Sequence, residues 1–141
     1  MPLSTALLTA GILLVITVAA GALWRLRDGR RRRASGVVDV ARLGLLRDRA
    51  ALVLFSTETC SRCPQVRRML HALASERGAV DVHEVDLTHR ADLASDNRVL
   101  STPTTLLIGP DARVVARFVG VPRRDDIVAA LNELPALQET A

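Results

Sequence analysis

At 141 residues, the chain has room for one ordinary domain and one accessory segment. All basic residues are Arg, and they are unevenly spread: residues 25–49 carry nine Arg against three Asp, a net of +6, whereas residues 50–141 carry ten Arg against twelve acids, a net of −2. The larger part is therefore mildly acidic and has few aromatic side chains that could stack on bases. Both properties argue against nucleic-acid binding.

The first segment is apolar and is predicted to anchor the chain in a membrane over residues 1–24. Residues 3–24 carry no charged side chain, and at about 1.5 Å per residue they span roughly 30 Å, the thickness of a bilayer core. Trp24 ends the run, where an interfacial aromatic residue is expected. A cleaved signal peptide, with small residues at 20–22, is the alternative; it fits less well because no Arg or Lys precedes the run.

Arginines follow the apolar run at once, over residues 25–36. The positive-inside rule then predicts a single-pass protein of the cell membrane, with the N-terminus outside and the following domain in the cytoplasm. We interpret residues 25–36 as an Arg-rich juxtamembrane linker. It either sets only the topology or also attracts anionic lipid head groups.

From residue 37 the pattern becomes that of a folded domain, predicted over residues 37–135, with a frayed tail at 136–141. Unbroken apolar runs predict strands and apolar residues at helical spacing predict helices. The predicted elements are a short strand 37–40, a short helix 41–46, a strand 51–55, a helix ending at Gly78, a strand 80–86, a helix 91–100, a hairpin 104–108 with 114–119, and a helix 125–134. This order indicates an α/β fold with a small mixed sheet and helices on both faces.

The two cysteines of the chain, Cys60 and Cys63, lie between the strand 51–55 and the following helix. A Cys-x-x-Cys at a helix N-terminus is typical of a dithiol redox site, and a metal site is the alternative. Structural zinc needs four ligands. The candidates are His71, two helical turns from Cys63, His83 in a strand and His89 in a loop. Because these histidines are too dispersed, no metal site is predicted.

The element order, Cys60-Ser61-Arg62-Cys63 and Ser101-Thr102-Pro103-Thr104 together resemble the thioredoxin family over roughly residues 40–135. The resemblance implies a thioredoxin-like fold, with a mixed sheet of four to five strands flanked by helices and preceded here by one transmembrane helix. It also implies that Pro103 is the cis-proline of a loop facing the dithiol. Asp86 at the end of the second long strand and Gly120 after the hairpin fit the same pattern.

Three positions depart from the common thioredoxin pattern. Thr59 stands where those proteins carry Trp, Ser61-Arg62 stands between the cysteines in place of Gly-Pro, and Leu54 occupies the position of a buried Asp that assists proton transfer. The chain therefore looks like a divergent, membrane-anchored bacterial thioredoxin-like protein and not a housekeeping thioredoxin.

Each cysteine has an expected role. A thiolate at a helix N-terminus is stabilised by unpaired N–H groups and the helix dipole, which lowers its pKa. Cys60, at the exposed end, is the predicted nucleophile, and Cys63 the resolving thiol. The redox-active Cys60–Cys63 disulfide takes the place of a cofactor. The neighbouring Arg62 should lower the thiolate pKa further, and Glu58 should oppose it.

The predicted function is thiol–disulfide exchange at the membrane, with Thr102 and Pro103 binding an extended substrate peptide. The expected partners are a protein disulfide or dithiol and an unidentified protein that recycles the pair. Two alternatives stay open: a redox-sensing or adaptor module without turnover, and an outward-facing protein serving exported proteins. The Arg67-Arg68 pair is interpreted as a solvated helix face or as a docking surface for an acidic partner.

Overall fold

The computed structural model describes residues 3–27, 31–32, 36–45 and 48–134. The predicted tail, 136–141, and parts of the predicted linker, 28–30 and 33–35, lie outside the described residues. The helices are α1 (Leu3–Arg27), α2 (Cys63–Arg77), α3 (Ala91–Asp96) and α4 (Arg124–Asn132), and the strands are β1 (Arg31–Arg32), β2 (Ala50–Ser56), β3 (Val80–Asp86), β4 (Thr104–Ile108) and β5 (Val114–Val119).

The strands form one mixed sheet in the order β1-β5-β4-β2-β3. β2 pairs in parallel with β3 and antiparallel with β4, and β4 and β5 form the predicted hairpin. The two-residue β1 adds to the edge at β5. These two arginines belong to the segment that is predicted to be a linker, and two charged residues carry no pattern that would indicate a strand.

β2 is the central strand, and every residue in it is buried. Successive side chains of a strand point to opposite faces, so an unbroken apolar run supplies two cores. Leu52 and Leu54 belong to the core covered by α2 and α4, whereas Val53 and Phe55 belong to the core on the other face. The arrangement confirms that this strand is buried on both sides.

The predicted strand 37–40 and helix 41–46 are both wrong. Val37 makes only an isolated bridge to Arg113, and residues 41–44 form a turn; Leu46 lies outside the described residues. The Asp39 side chain accepts the amides of Ala41 and Arg42, and Gly44 has a φ of 68°, a left-handed conformation that ends the turn. Local side-chain bonding has therefore replaced the helical pattern.

The predicted helix 91–100 is too long, since α3 ends at Asp96. The Asn97 side chain donates to the Leu93 carbonyl, and Arg98 has a φ of 51°, which no helix continues. Val99 is buried as expected, but Leu100 is 98% exposed and contributes nothing to the core.

α1 carries no charged side chain before Arg25, and its mean hydropathy is 2.4 over residues 4–23. None of that stretch is buried against the rest of the protein. Its length and composition suit a membrane span. A signal sequence near an N-terminus has the same properties, so the helix by itself does not distinguish the two.

Candidate redox site

The two cysteines lie in and just after a short turn that follows the carboxyl end of β2. The Cys60 amide donates to the Thr57 carbonyl at 3.1 Å, and the Cys63 amide donates to the Cys60 carbonyl at 3.3 Å. α2 begins only at Cys63, so Cys60 precedes the first helical residue by one turn. Pro64 stands in the first turn of the helix, where its missing N–H costs no intrahelical bond.

Cys60 and Cys63 are joined in a disulfide. Their environments differ: Cys63 is 2% exposed, whereas Cys60 is only partly buried. The buried side of α2 starts at Cys63 and continues through Val66 and Leu70. The helix therefore directs one sulfur-bearing residue into the protein and leaves the other at the surface.

A second loop lies at the same end of the sheet, before β4. The Thr102–Pro103 peptide bond is cis, Pro103 is buried and Thr102 is partly buried. The Gly120 amide donates to the Pro103 carbonyl at 2.8 Å, which ties this loop to the end of β5. The hydroxyls of Thr57 and Thr102 lie 3.2 Å apart, so the loop is also bonded to the turn before Cys60.

A third loop, after β3, holds the turn from the other side. The Glu58 amide donates to the Thr88 hydroxyl at 3.0 Å, and that hydroxyl donates to Asp86 Oδ1 at 2.6 Å. The Thr88 amide donates to the same oxygen at 2.8 Å. The bond from the Thr88 hydroxyl, and to a lesser extent the bond from the Thr88 amide, hold the pKa of the Asp86 carboxyl below its usual value.

The sequence patterns do not predict Thr57 and Thr88 as site residues, although they do predict Glu58, Thr102 and Pro103 in the same loops. For Thr88 there was a local signal, since an Asp two residues before a Thr is a common turn pattern. For Thr57 there was none, because its partner is 45 residues away and the contact exists only once both loops meet.

Arg62 and Glu58 are both exposed beside the disulfide, and their tuning roles stay predictions. Arg67 is bound to a neighbour: its guanidinium donates to both carboxylate oxygens of Glu84, at 2.5 and 2.6 Å. This pair, and a bond from the Ser56 hydroxyl, lower the Glu84 pKa. Arg67 thus links α2 to β3. Arg67 and Arg68 are both exposed on the surface of the helix, and a docking role for them stays a prediction.

Leu54, at the position of the expected buried acid, is fully buried. Its neighbours in the sheet register are Glu84 on β3 and Thr105 on β4. The three histidines occupy α2, β3 and the loop after β3. Within the part of the chain that the structure describes, no three His, Cys, Asp or Glu residues converge to hold a metal ion.

Comparison with known proteins agrees with this geometry. Residues 42–133 match the family model described as thioredoxin. A probable thioredoxin of Methanothermobacter thermautotrophicus is 27% identical over 81 residues, which cover 57% of this chain and 89% of the relative. The mitochondrial thioredoxin of Mus musculus is 32% identical over 87 residues, 59% of this chain and 50% of the relative.

Solved structures are similar in fold. The thioredoxin-2 described as a component of malaria parasite protein secretion machinery superposes with a TM-score of 0.58 at 20% identity, over 72% of this chain and 96% of its own. Oxidized mitochondrial thioredoxin 3 from Saccharomyces cerevisiae gives a TM-score of 0.54 at 20% identity, over 62% of this chain and 80% of its own. At these identities the likeness concerns the fold.

Proposed function

The chain belongs to the thioredoxin family and is a thiol–disulfide oxidoreductase, and from that premise we propose that Cys60 attacks protein disulfides and Cys63 resolves the product. One observation carries the assignment of roles: the two cysteines share a disulfide, but Cys63 is 2% exposed and Cys60 is partly open to solvent. Only a residue at the surface can reach a sulfur that belongs to another protein.

The reaction begins with the reduced pair. The Cys60 thiolate attacks one sulfur of a substrate disulfide, a Cys60–substrate bond forms, and the other substrate sulfur leaves as a thiolate. The Cys63 thiolate then attacks Cys60 Sγ and releases the second substrate thiolate as the Cys60–Cys63 disulfide forms. Two electrons pass to the substrate, which takes up two protons. A separate dithiol must afterwards reduce the Cys60–Cys63 pair.

Substrate positioning is assigned to the loop at Thr102 and Pro103. Proline has no N–H, so the backbone next to it can pair with an extended peptide on its free side. The bond from the Gly120 amide to the Pro103 carbonyl and the Thr57–Thr102 contact support this proposal, because they hold the loop against the turn that carries Cys60.

Membrane attachment through α1, with the domain in the cytoplasm, completes the proposal. The uncharged apolar helix and the arginines after it support this orientation. An outward-facing domain serving exported proteins is the competing topology. Reporter fusions after residue 134, one active only in the cytoplasm and one active only outside, decide between them. Loss of α1 from the mature protein would show that it is a cleaved signal sequence.

Insulin-disulfide reduction tests the chemistry. The wild-type protein with a reductant should reduce insulin, Cys60→Ser should abolish the activity, and Cys63→Ser should accumulate a mixed disulfide through Cys60. Trapping through residue 63 in Cys60→Ser would reverse the assigned roles. No wild-type turnover with a strong reductant, together with a reversible Cys60–Cys63 bond, would favour a redox sensor.

A further inference from the structure

Thr105 on β4 is a buried polar residue that the proposed reaction leaves without a role. Its side chain is 0% exposed, and its hydroxyl makes no hydrogen bond with any residue that the structure describes. An unpaired hydroxyl in a protein interior is unfavourable, and Val would fill almost the same volume without that penalty. A buried group of this kind calls for an explanation in another state of the protein.

The sheet register places Thr105 on the face that is covered by α2, the helix that begins with the resolving cysteine. Thr105 is the neighbour of Leu54 on β2 and of Phe118 on β5, and it lies on the face of the sheet that α2 and α4 cover. Cys63 opens the buried side of α2 on this face, and Val66, the next residue of that side, packs in one core with Leu54. Thr105 and Leu54 thus share the sheet face against which the buried side of α2 packs, and Cys63 is the first residue of that buried side.

We propose that the Thr105 hydroxyl donates a hydrogen bond to the Cys63 thiolate when the Cys60–Cys63 pair is reduced. This inference rests on the proposed function of the pair. In the disulfide, the sulfur of Cys63 is neutral and a weak acceptor, so the hydroxyl has no strong partner. In the dithiol form, burial opposes the charged thiolate, and a donor that bonds to the thiolate favours it.

Four other described residues near this face are either engaged elsewhere or lack a hydrogen to donate. Leu54 is apolar, Arg67 is bound by Glu84, and the Ser56 hydroxyl already donates to Glu84. On α4, the half-buried Asp126 is an acceptor when ionised and cannot stabilise an anion. Thr105, by contrast, carries a buried hydroxyl that has no partner among the described residues.

The assigned step is the second half of the exchange. Cys63–SH loses its proton to water, and the thiolate, bonded to the Thr105 hydroxyl, attacks Cys60 Sγ. The bond between Cys60 and the substrate sulfur breaks, the Cys60–Cys63 bond forms, and the substrate leaves as a thiolate that takes up a proton. Thr105 keeps its own hydrogen throughout and changes only the fraction of Cys63 that is ionised.

The test uses a Cys60→Ser background, in which Cys63 is the single thiol, and follows thiolate absorbance with pH. Thr105→Val should shift the midpoint upward by about one pH unit, because a hydrogen bond to a charged group changes the ionisation equilibrium roughly tenfold. Thr105→Ser, which keeps the hydroxyl, should restore the midpoint. Thr17→Val in α1 is a matched control away from the site.

With both cysteines present, Thr105→Val should slow release of a preformed Cys60 mixed disulfide about tenfold at neutral pH, and the formation of that mixed disulfide should be unchanged. The oxidised Thr105→Val protein should unfold at the same or a higher denaturant concentration than wild type. An unchanged midpoint and release rate, or a strongly destabilised oxidised protein, would overturn the proposal for Thr105. Because the midpoint needs no substrate, it separates this failure from a failure of the oxidoreductase function.

Discussion

The hydroxyls of Thr57 and Thr102 meet at 3.2 Å between the turn that carries Cys60 and the loop that ends at Pro103. One residue precedes the reactive cysteine by three positions, and the other stands directly before the cis-proline. The contact therefore fixes the distance between the nucleophile and the backbone to which a substrate peptide would pair.

Removing either hydroxyl should weaken substrate processing. A single neutral hydrogen bond contributes about 1 kcal/mol, so Thr57→Val or Thr102→Val should lower kcat/KM for insulin reduction by roughly three- to tenfold. The double variant should have about the same kcat/KM as the less active of the two single variants, because the same hydrogen bond is missing in all three. Independent, additive losses in this double-mutant cycle would show that the two hydroxyls do not act together.

Thr88 should hold the redox turn through its hydroxyl. Thr88→Val leaves the Glu58 amide and the Asp86 carboxylate without this partner, and we expect the free energy of unfolding to fall by about 1–2 kcal/mol. Thr88→Ser should recover most of this loss in urea denaturation. If the Ser variant is as unstable as the Val variant, packing of the methyl group and not the hydroxyl stabilises the turn.

The Arg67–Glu84 pair should make the free energy of unfolding depend on pH in the acid range. Because Arg67 lowers the pKa of Glu84 in the folded protein, the folded state binds fewer protons there than the unfolded chain. The pair therefore stabilises the folded protein in full above about pH 5. This stabilisation is lost below about pH 4, as the pH falls through the lowered pKa that Glu84 has in the folded state.

Glu84→Gln should therefore be less stable than wild type at neutral pH, and the difference should narrow as the pH is lowered. Urea unfolding between neutral and acid pH measures it. Glu76→Gln, which removes a more exposed ion pair with Arg124, is the matched control and should have little effect. If the difference in the free energy of unfolding between wild type and Glu84→Gln does not change with pH, the pair does not cause the pH dependence.

Arg62 should make the disulfide more oxidising. A cation beside the Cys60 thiolate stabilises the reduced form, so we expect a reduction potential less negative than about −270 mV. Arg62→Ala should shift the potential to more negative values and Glu58→Gln to less negative ones. Equilibration with glutathione or dithiothreitol buffers measures the reduction potential. A wild-type potential at or below about −270 mV would contradict this prediction.

Much of the site was readable from local patterns. An unbroken apolar run predicts β2, helical spacing predicts α2, and Gly78, in a left-handed conformation, ends that helix as predicted. The segments that were predicted wrongly, at residues 37–45 and 97–100, are short. There, hydrogen bonds made by the side chains of Asp39 and Asn97 outweigh a weak apolar period.

By itself, the sequence determined the class of this protein, since Cys60-x-x-Cys63 and Pro103 with their element order are local features. Three things depended on the tertiary structure: the Thr57–Thr102 contact, the Arg67–Glu84 pair and the burial of Thr105 between Leu54 and Phe118. The first two contacts join residues that are 45 and 17 positions apart in the chain. The third depends on the pairing of β4 with both β2 and β5. Such contacts follow from strand pairing and helix docking, which no pattern along a single segment contains.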